Sequence, residues 1–260
     1  MVGRFSLKGV VVLLSEMLTY TASEFLDDRT VLVDGDPDSL WPDSYLVRQF
    51  NQAQKILARR AWCIIEYGVA PAGVIVLRTG VSLYSVNAAI LRVFDSTPST
   101  MNSPLGRTDD IVLRTETPGN VLTAFETGEA AALADAETGA PRAIASDAGS
   151  RQVRVYPTPT STENGVKMAL KIARLPLVDL TLDDLEAEPE VPSQWHLDLC
   201  EYAAGKALTL PMADQDQKVE GRRLLDAFNE TVREARRDRQ RFEMGTSRWA
   251  FSSSTAVLDR

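Results

Sequence analysis

The chain has 260 residues, of which 44% are hydrophobic and 25% charged, and its formal net charge is -8. This is the profile of an ordinary globular protein, long enough for one large domain or two modest ones. An acidic balance with a pI near 4.9 argues against a duplex-binding protein and against docking on an anionic membrane surface, both of which need clustered Lys and Arg.

The two cysteines, Cys63 and Cys200, each sit in an apolar helical pattern and read as buried reduced thiols, with no disulfide framework. The run GVVVLL at 9–14 follows Arg4 and Lys8. It is short and lacks a small-residue cleavage site, so it reads as part of an ordinary helix and not as a secretory signal. No stretch approaches the ~18 apolar residues of a membrane span, and synthesis in the cytoplasm is expected.

In chain order, Leu7, Val11, Leu14, Leu18, Thr21 and Phe25 fall on one stripe, which predicts a first helix over 6–27 with Ser6 as N-cap. The following turn is acidic. Asp34, Asp36 and Asp38 fit the opening of a calcium loop, but Ser39 and Tyr45 stand where such a loop needs Gly and Glu, so a solvated turn is expected. Trp41-Pro42-Asp43 opens the second helix, with Asp43 as N-cap and Leu46, Phe50, Ala53, Leu57, Ala61 and Ile64 on one face. Gln49, Gln52, Lys55, Arg59 and Arg60 fall largely off that face, free to meet solvent or a neighbouring subunit, with solvent alone the default expectation.

After Gly68 short β-type runs appear at 74–77, 82–86 and 90–94, and further ones at 143–145, 151–156 and 166–175. Residues 96–117 read as a loop carrying a short turn of helix, and 120–136 as either a helix or an irregular insertion. The last two runs flank PTPTSTENG, whose prolines, Asn and Gly predict a hairpin loop. The acidic segment LVDLTLDDLEAEPEVP reads as an extended connector. A third helix is predicted from Ser193, its N-cap, with Trp195, Leu199, Tyr202, Ala203 and Leu210 on one side and the small residues Cys200, Ala204 and Ala207 on the other. A fourth, from Asp214 to Glu243, carries the stripe Val219, Leu225, Phe228, Val232, Ala235 and Phe242 amid the arginine-rich segments EGRR and REARRDRQR. The tail GTSRWAFSSSTAVLDR shows no period; it reads as disordered or as ordered by a partner.

No catalytic constellation emerges. His196 is the only histidine, which excludes multi-histidine metal sites, and no nucleophile elbow or glycine-rich phosphate cradle accompanies it. A capping or core role is expected for it. Among 36 carboxylates any pair can be drawn as acid and base, which carries no signal. Arg151, Arg154 and Tyr156 fit strand alternation better than a single-strand platform. No cofactor or metal is expected.

Three segments, WPDSYLVRQFNQAQKILARRA at 41–61, YPTPTSTENGVKMALKIARLP at 156–176 and PEVPSQWHLDLCEYAAGKAL at 189–208, together resemble the head-to-tail adaptor, or connector, family of tailed bacteriophages. The first is similar to that family's Trp-x-Asp-x-x-Leu-x-x-x-Asn-x-Ala helix, the second to its Tyr-Pro-x-Pro hairpin, the third to its Pro-x-Ile-Pro-x-x-x-His-x-x-Leu-x-x-Tyr-Ala helix. A long polar helix follows where the family has one. The N-terminal helix lacks the usual basic start, and 96–140 has no counterpart.

The expected fold is α+β: a helical body of about four helices, two N-terminal and two C-terminal with the last one long, formed by 1–67 and 189–243. A mostly antiparallel β region with its connector is inserted at 68–188, and 244–260 is a docking tail. The resemblance implies a non-enzymatic virion protein of the neck, a ring of twelve copies between portal and tail or nozzle proteins. Double-stranded DNA would pass through its lumen, without specific binding, when the genome is ejected. Arg233, Arg236, Arg237 and Arg241 with Trp249 and Phe251 are the candidate contacts to the portal or a neighbouring subunit, since arginine and aromatic anchors dominate interfaces. Two other readings remain: another virion part such as a tail tube or baseplate module, or a hydrolase using His196 with carboxylates.

Overall fold

The computed structural model describes residues 12–26, 41–98, 138–141, 143–147 and 152–252. These contain four α-helices, α1 (Leu14–Glu24), α2 (Asp43–Ala61), α3 (His196–Leu208) and α4 (Gln215–Ser252). Seven strands accompany them: β1 (Ile65–Tyr67), β2 (Val74–Val76), β3 (Leu83–Ser85), β4 (Ile90–Pro98), β5 (Ala143–Asp147), β6 (Gln152–Tyr156) and β7 (Lys167–Arg174). The fold is α+β. The chain divides into two compact units, Met1–Ile64 with Pro176–Arg260, and Ile65–Leu175.

In the helical unit α2 is laid out as its apolar period requires: Leu46, Phe50, Ala53, Leu57, Ala61 and Ile64 are all buried. Its first residue is Asp43 and its N-cap is Pro42, so Asp43 contributes charge to the first turn and not the expected cap. Gln49 is buried as well, contrary to its expected place in solvent. The first helix is shorter than predicted. Val12 and Leu13 are not helical, and α1 starts at Leu14 because its first amides are taken by the connector: Leu14 N–H donates to Ala187 O and Ser15 N–H to Leu185 O, both at 3.0 Å. The Glu16 carboxylate accepts the Leu13 N–H at 3.0 Å. Ser6, Leu7 and Val11 lie outside the described residues, as do the acidic turn at 34–38 and residues 99–137.

Ser193 does not cap α3 through its side chain; it lies in a 3-10 turn, Ser193–Trp195, that leads into the helix. The small side of α3 is fully buried, Cys200, Ala204 and Ala207 each being inaccessible. On another face of α3, Gly205 lets α4 approach until backbones meet: a Cβ on Gly205 would lie 2.9 Å from Gly221 O, and one on Gly221 3.0 Å from Gly205 O. Asp214 caps α4 reciprocally, its Oδ1 accepting Gln217 N–H at 2.7 Å while Gln217 Oε1 accepts Asp214 N–H at 3.0 Å. The buried stripe runs through Gly221, Leu224, Phe228, Val232 and Ala235. Val219, predicted in the stripe, is exposed, because the glycine contact rotates the helix to bring residue 221 inward. The backbone stays helical to Ser252, past the predicted end at Glu243.

The β unit holds two antiparallel sheets. In one, β7 is central: β4 pairs along 168–174, while β1 pairs at 171–173 and β2 at 167–169. The other has the order β3-β6-β5. The predicted hairpin of 151–156 with 166–175 is therefore wrong. β6 and β7 belong to different sheets, and PTPTSTENG is a crossover containing the 3-10 turn Ser161–Glu163 capped by Thr160. Both sheets feed one core, Ile75, Val93, Leu170 and Ile172 from the first meeting Tyr84, Val153 and Val155 from the second. β7 is almost wholly buried and does not alternate, as befits a central strand. At its end Arg174 forms a two-pronged pair with Glu66, at 2.7 and 3.3 Å.

Candidate functional site

The connector at 176–192 has no regular structure, yet it is held at several points by side chains of the helical unit. Asn51, facing out of α2, clamps the backbone of Leu180 from both sides, Nδ2 donating to Leu180 O at 2.9 Å and Oδ1 accepting Leu180 N–H at 2.8 Å. Gln54 Oε1 accepts Glu190 N–H at 3.0 Å. The Glu190 carboxylate in turn accepts Leu177 N–H and Val178 N–H at 2.6 and 2.8 Å, so two otherwise free amides share one charged acceptor. Lys55 Nζ pairs with Asp179 at 2.7 Å. With the two bonds to the start of α1, this makes the connector a strap whose backbone groups are satisfied by partners distant in sequence.

His196 finishes the strap. It is 2% exposed, and its Nε2 lies 2.9 Å from Val191 O; a carbonyl can only accept, so Nε2 carries the proton. Burial is the main influence and pushes its pKa down from 6.5, against the upward pull of the backbone at Val191, Val12 and Pro189 and of the Glu188 carboxylate. This is a core position packed against the turn that the two flanking prolines, Pro189 and Pro192, create. Burial also pushes the thiols of Cys63 and Cys200 up to about 12, which leaves neither a reactive thiolate. Among the described residues no group of three His, Cys, Asp or Glu side chains is arranged to hold a metal ion, and no helix is long and apolar enough to cross a membrane. An open groove of about 450 Å³ runs beside α1, lined by Val12, Ser15, Glu16, Thr19, Tyr20, Ser23 and Leu197. Its one carboxylate, Glu16, is engaged by Leu13 N–H, and no nucleophile–base pair converges there.

The candidate contact residues lie on α4. Arg233 and Arg237 pair with Glu230 at 2.9 and 3.4 Å, and Arg241 with Asp238 at 3.6 Å, all on the exposed face. The Arg233 hydrogen bond is the largest influence holding the Glu230 carboxyl below its usual range. Arg236 is exposed and makes no ion pair with any described residue. The four arginines thus share one solvated stretch of helix. The backbone of Trp249 and Phe251 continues α4; their side chains lie outside the described residues. What sequence reasoning missed is the strap's anchorage. Asn51 lies within the first of the resembling segments, 41–61, and the signal for its role was a polar residue within an apolar-patterned helix.

No curated protein matches the chain. The model of one family, described as SU10 adaptor protein, matches residues 14–251, from the first residue of α1 almost to the end of α4, and so takes in both units. The chain belongs to the SU10 adaptor protein family.

Proposed function

We propose that this phage adaptor is a structural component of the virion neck, without catalytic activity, that assembles with copies of itself into a ring between the portal and the tail or nozzle proteins. The ring number implied by the resemblance is twelve. DNA passes through its lumen without specific binding, and a net charge of -8 fits this, since an acidic wall repels the duplex and lets it slide. The helical unit carries the contacts; Arg233, Arg236, Arg237 and Arg241 with Trp249 and Phe251 meet the portal or the neighbouring subunit.

The observation that supports this most is the course of α4. It has 38 residues, about 57 Å at 1.5 Å per residue, whereas α2 and α3 have 19 and 13, about 28 and 20 Å. Ala235 is the last buried residue described on α4, and the helix continues to Ser252. From 236 to 241 its described residues are exposed or half-buried and include four arginines, and so charged an uncovered stretch is suited to an intermolecular partner. Mixing the full chain with purified portal rings and imaging the product tests the reading. Stacked portal–adaptor rings are expected, and a chain lacking 245–260 should stay folded but fail to join. Portal rings left bare by the intact chain would refute the assignment.

A further inference from the structure

The helical unit carries two exposed surfaces of opposite sign. Between Arg174 and Lys206 the chain has no Lys or Arg, and Asp183, Asp184, Glu186 and Glu188 of the strap are all exposed. Apolar side chains stand exposed among them, Val178 at 73% and Leu185 at 40%. A strap that needed only solvation would have no reason to present these. Its backbone is pinned by Asn51, Gln54, Glu190 and the amides of α1, so the acids and apolar groups are offered from a fixed frame. On α4, residues 233–241 hold five arginines against two acids. Arg233, Arg237 and Arg241 follow at four-residue spacing along one face over ~12 Å, with the unpaired Arg236 beside them. Their ion pairs within the helix are solvent-exposed and exchange readily for better partners.

We infer that the strap of one copy is the seat for the arginine-bearing part of α4 of the next copy. The two surfaces are then the unlike halves of one head-to-tail contact, as a closed ring requires. The inference rests on the ring reading above and adds its partner surface. The carboxylates meet the guanidinium groups at the rim, Val178 and Leu185 pack against the aliphatic stems of the arginines, and the opposite signs fix register and reject the inverted, like-charged pairing.

Two full-length variants test this, R236E/R237E on the helix and D183K/E186K on the strap; no described hydrogen bond of the strap uses the side chains of Asp183 or Glu186. Assembly on portal rings is followed by light scattering and electron microscopy, with melting curves to verify folding. Each variant alone should need on the order of 100-fold more protein to form rings, because every contact sets like charges opposite each other. An equimolar mixture of the two should assemble again, since reversed helix meets reversed strap at one contact and native meets native at the next. Wild-type assembly should weaken with rising salt. Single variants that assemble like wild type, or a mixture no better than its components, would overturn the strap–helix contact and leave the adaptor reading standing. A wild-type chain that never assembles on the portal would overturn both.

Discussion

Asn51→Ala removes the clamp on the strap and nothing else of size. The two bonds it deletes, 2.9 Å from Nδ2 to Leu180 O and 2.8 Å from Leu180 N to Oδ1, are each worth a net ~0.5–1.5 kcal/mol. Leu180 is buried, so its amide and carbonyl do not recover full hydration. Alanine returns roughly 0.5 kcal/mol of helix propensity. The expected net loss is roughly 1–2 kcal/mol, a drop of roughly 2–8 °C in Tm, read by thermal or urea unfolding of the full chain with tryptophan fluorescence. Asn51→Asp makes the test specific. It keeps the acceptor for Leu180 N–H but sets a carboxylate oxygen against Leu180 O, so at neutral pH it should be less stable than the alanine variant, and it should recover in mild acid as the carboxyl gains a proton to donate. Limited proteolysis should cut within 177–188 faster in both variants. Wild-type stability in Asn51→Ala, or an aspartate variant that matches alanine at every pH, would show that the strap is held by something else.

Gly205→Ala sets a helix-propensity gain of up to ~1 kcal/mol against a Cβ 2.9 Å from both Gly221 O and Leu225 Cγ. Since one of the clashing atoms is backbone, overpacking of ~1–3 kcal/mol should win, and urea midpoints should fall; a midpoint at or above wild type would contradict the close crossing of α3 and α4. For His196, the folded-state pKa lies below the ordinary 6.5, so the folded state disfavours its protonation. The associated stability is present above that ordinary value and lost as pH falls through the folded one. As the only histidine, it should give a stability-versus-pH slope setting in below about pH 6.5, and that slope should disappear in His196→Gln, measured by urea unfolding across pH 5–8.

The parts of the fold visible in the sequence are those where one face of one element decides. α2 has a one-sided apolar period, so its core residues could be read directly. Asp214 could be placed at the start of α4 because capping is local chemistry. The failures share a different cause. PTPTSTENG has every mark of a chain reversal, but turn chemistry does not say which strand receives the next one, and β7 is claimed by β1, β2 and β4. The apolar run before Leu14 continues a helical period, but Ala187 and Leu185, far along the chain, take the first amides. On α4, Val219 looked inward because hydropathy scores valine and ignores glycine, although Gly221 is the residue that lets two backbones meet.

The candidate surface divides along the same line. The arginines of α4 were legible because charge on a long helix with a narrow stripe has to face solvent or a partner. The strap was not, because 176–192 has no periodicity and its rigidity comes from Asn51 and Gln54, 129 and 136 residues before the groups they bind. This bears on assembly. Two complementary patches can close a ring only if each subunit keeps them at a constant angle, and a connector free to move would lose much of the contact energy to its own ordering. In this unit the strap is hydrogen-bonded to α1 and α2, and α4 is locked to α3 at the paired glycines. Asn51 is therefore expected to matter twice, and its loss should weaken ring closure under conditions where the monomer is still folded.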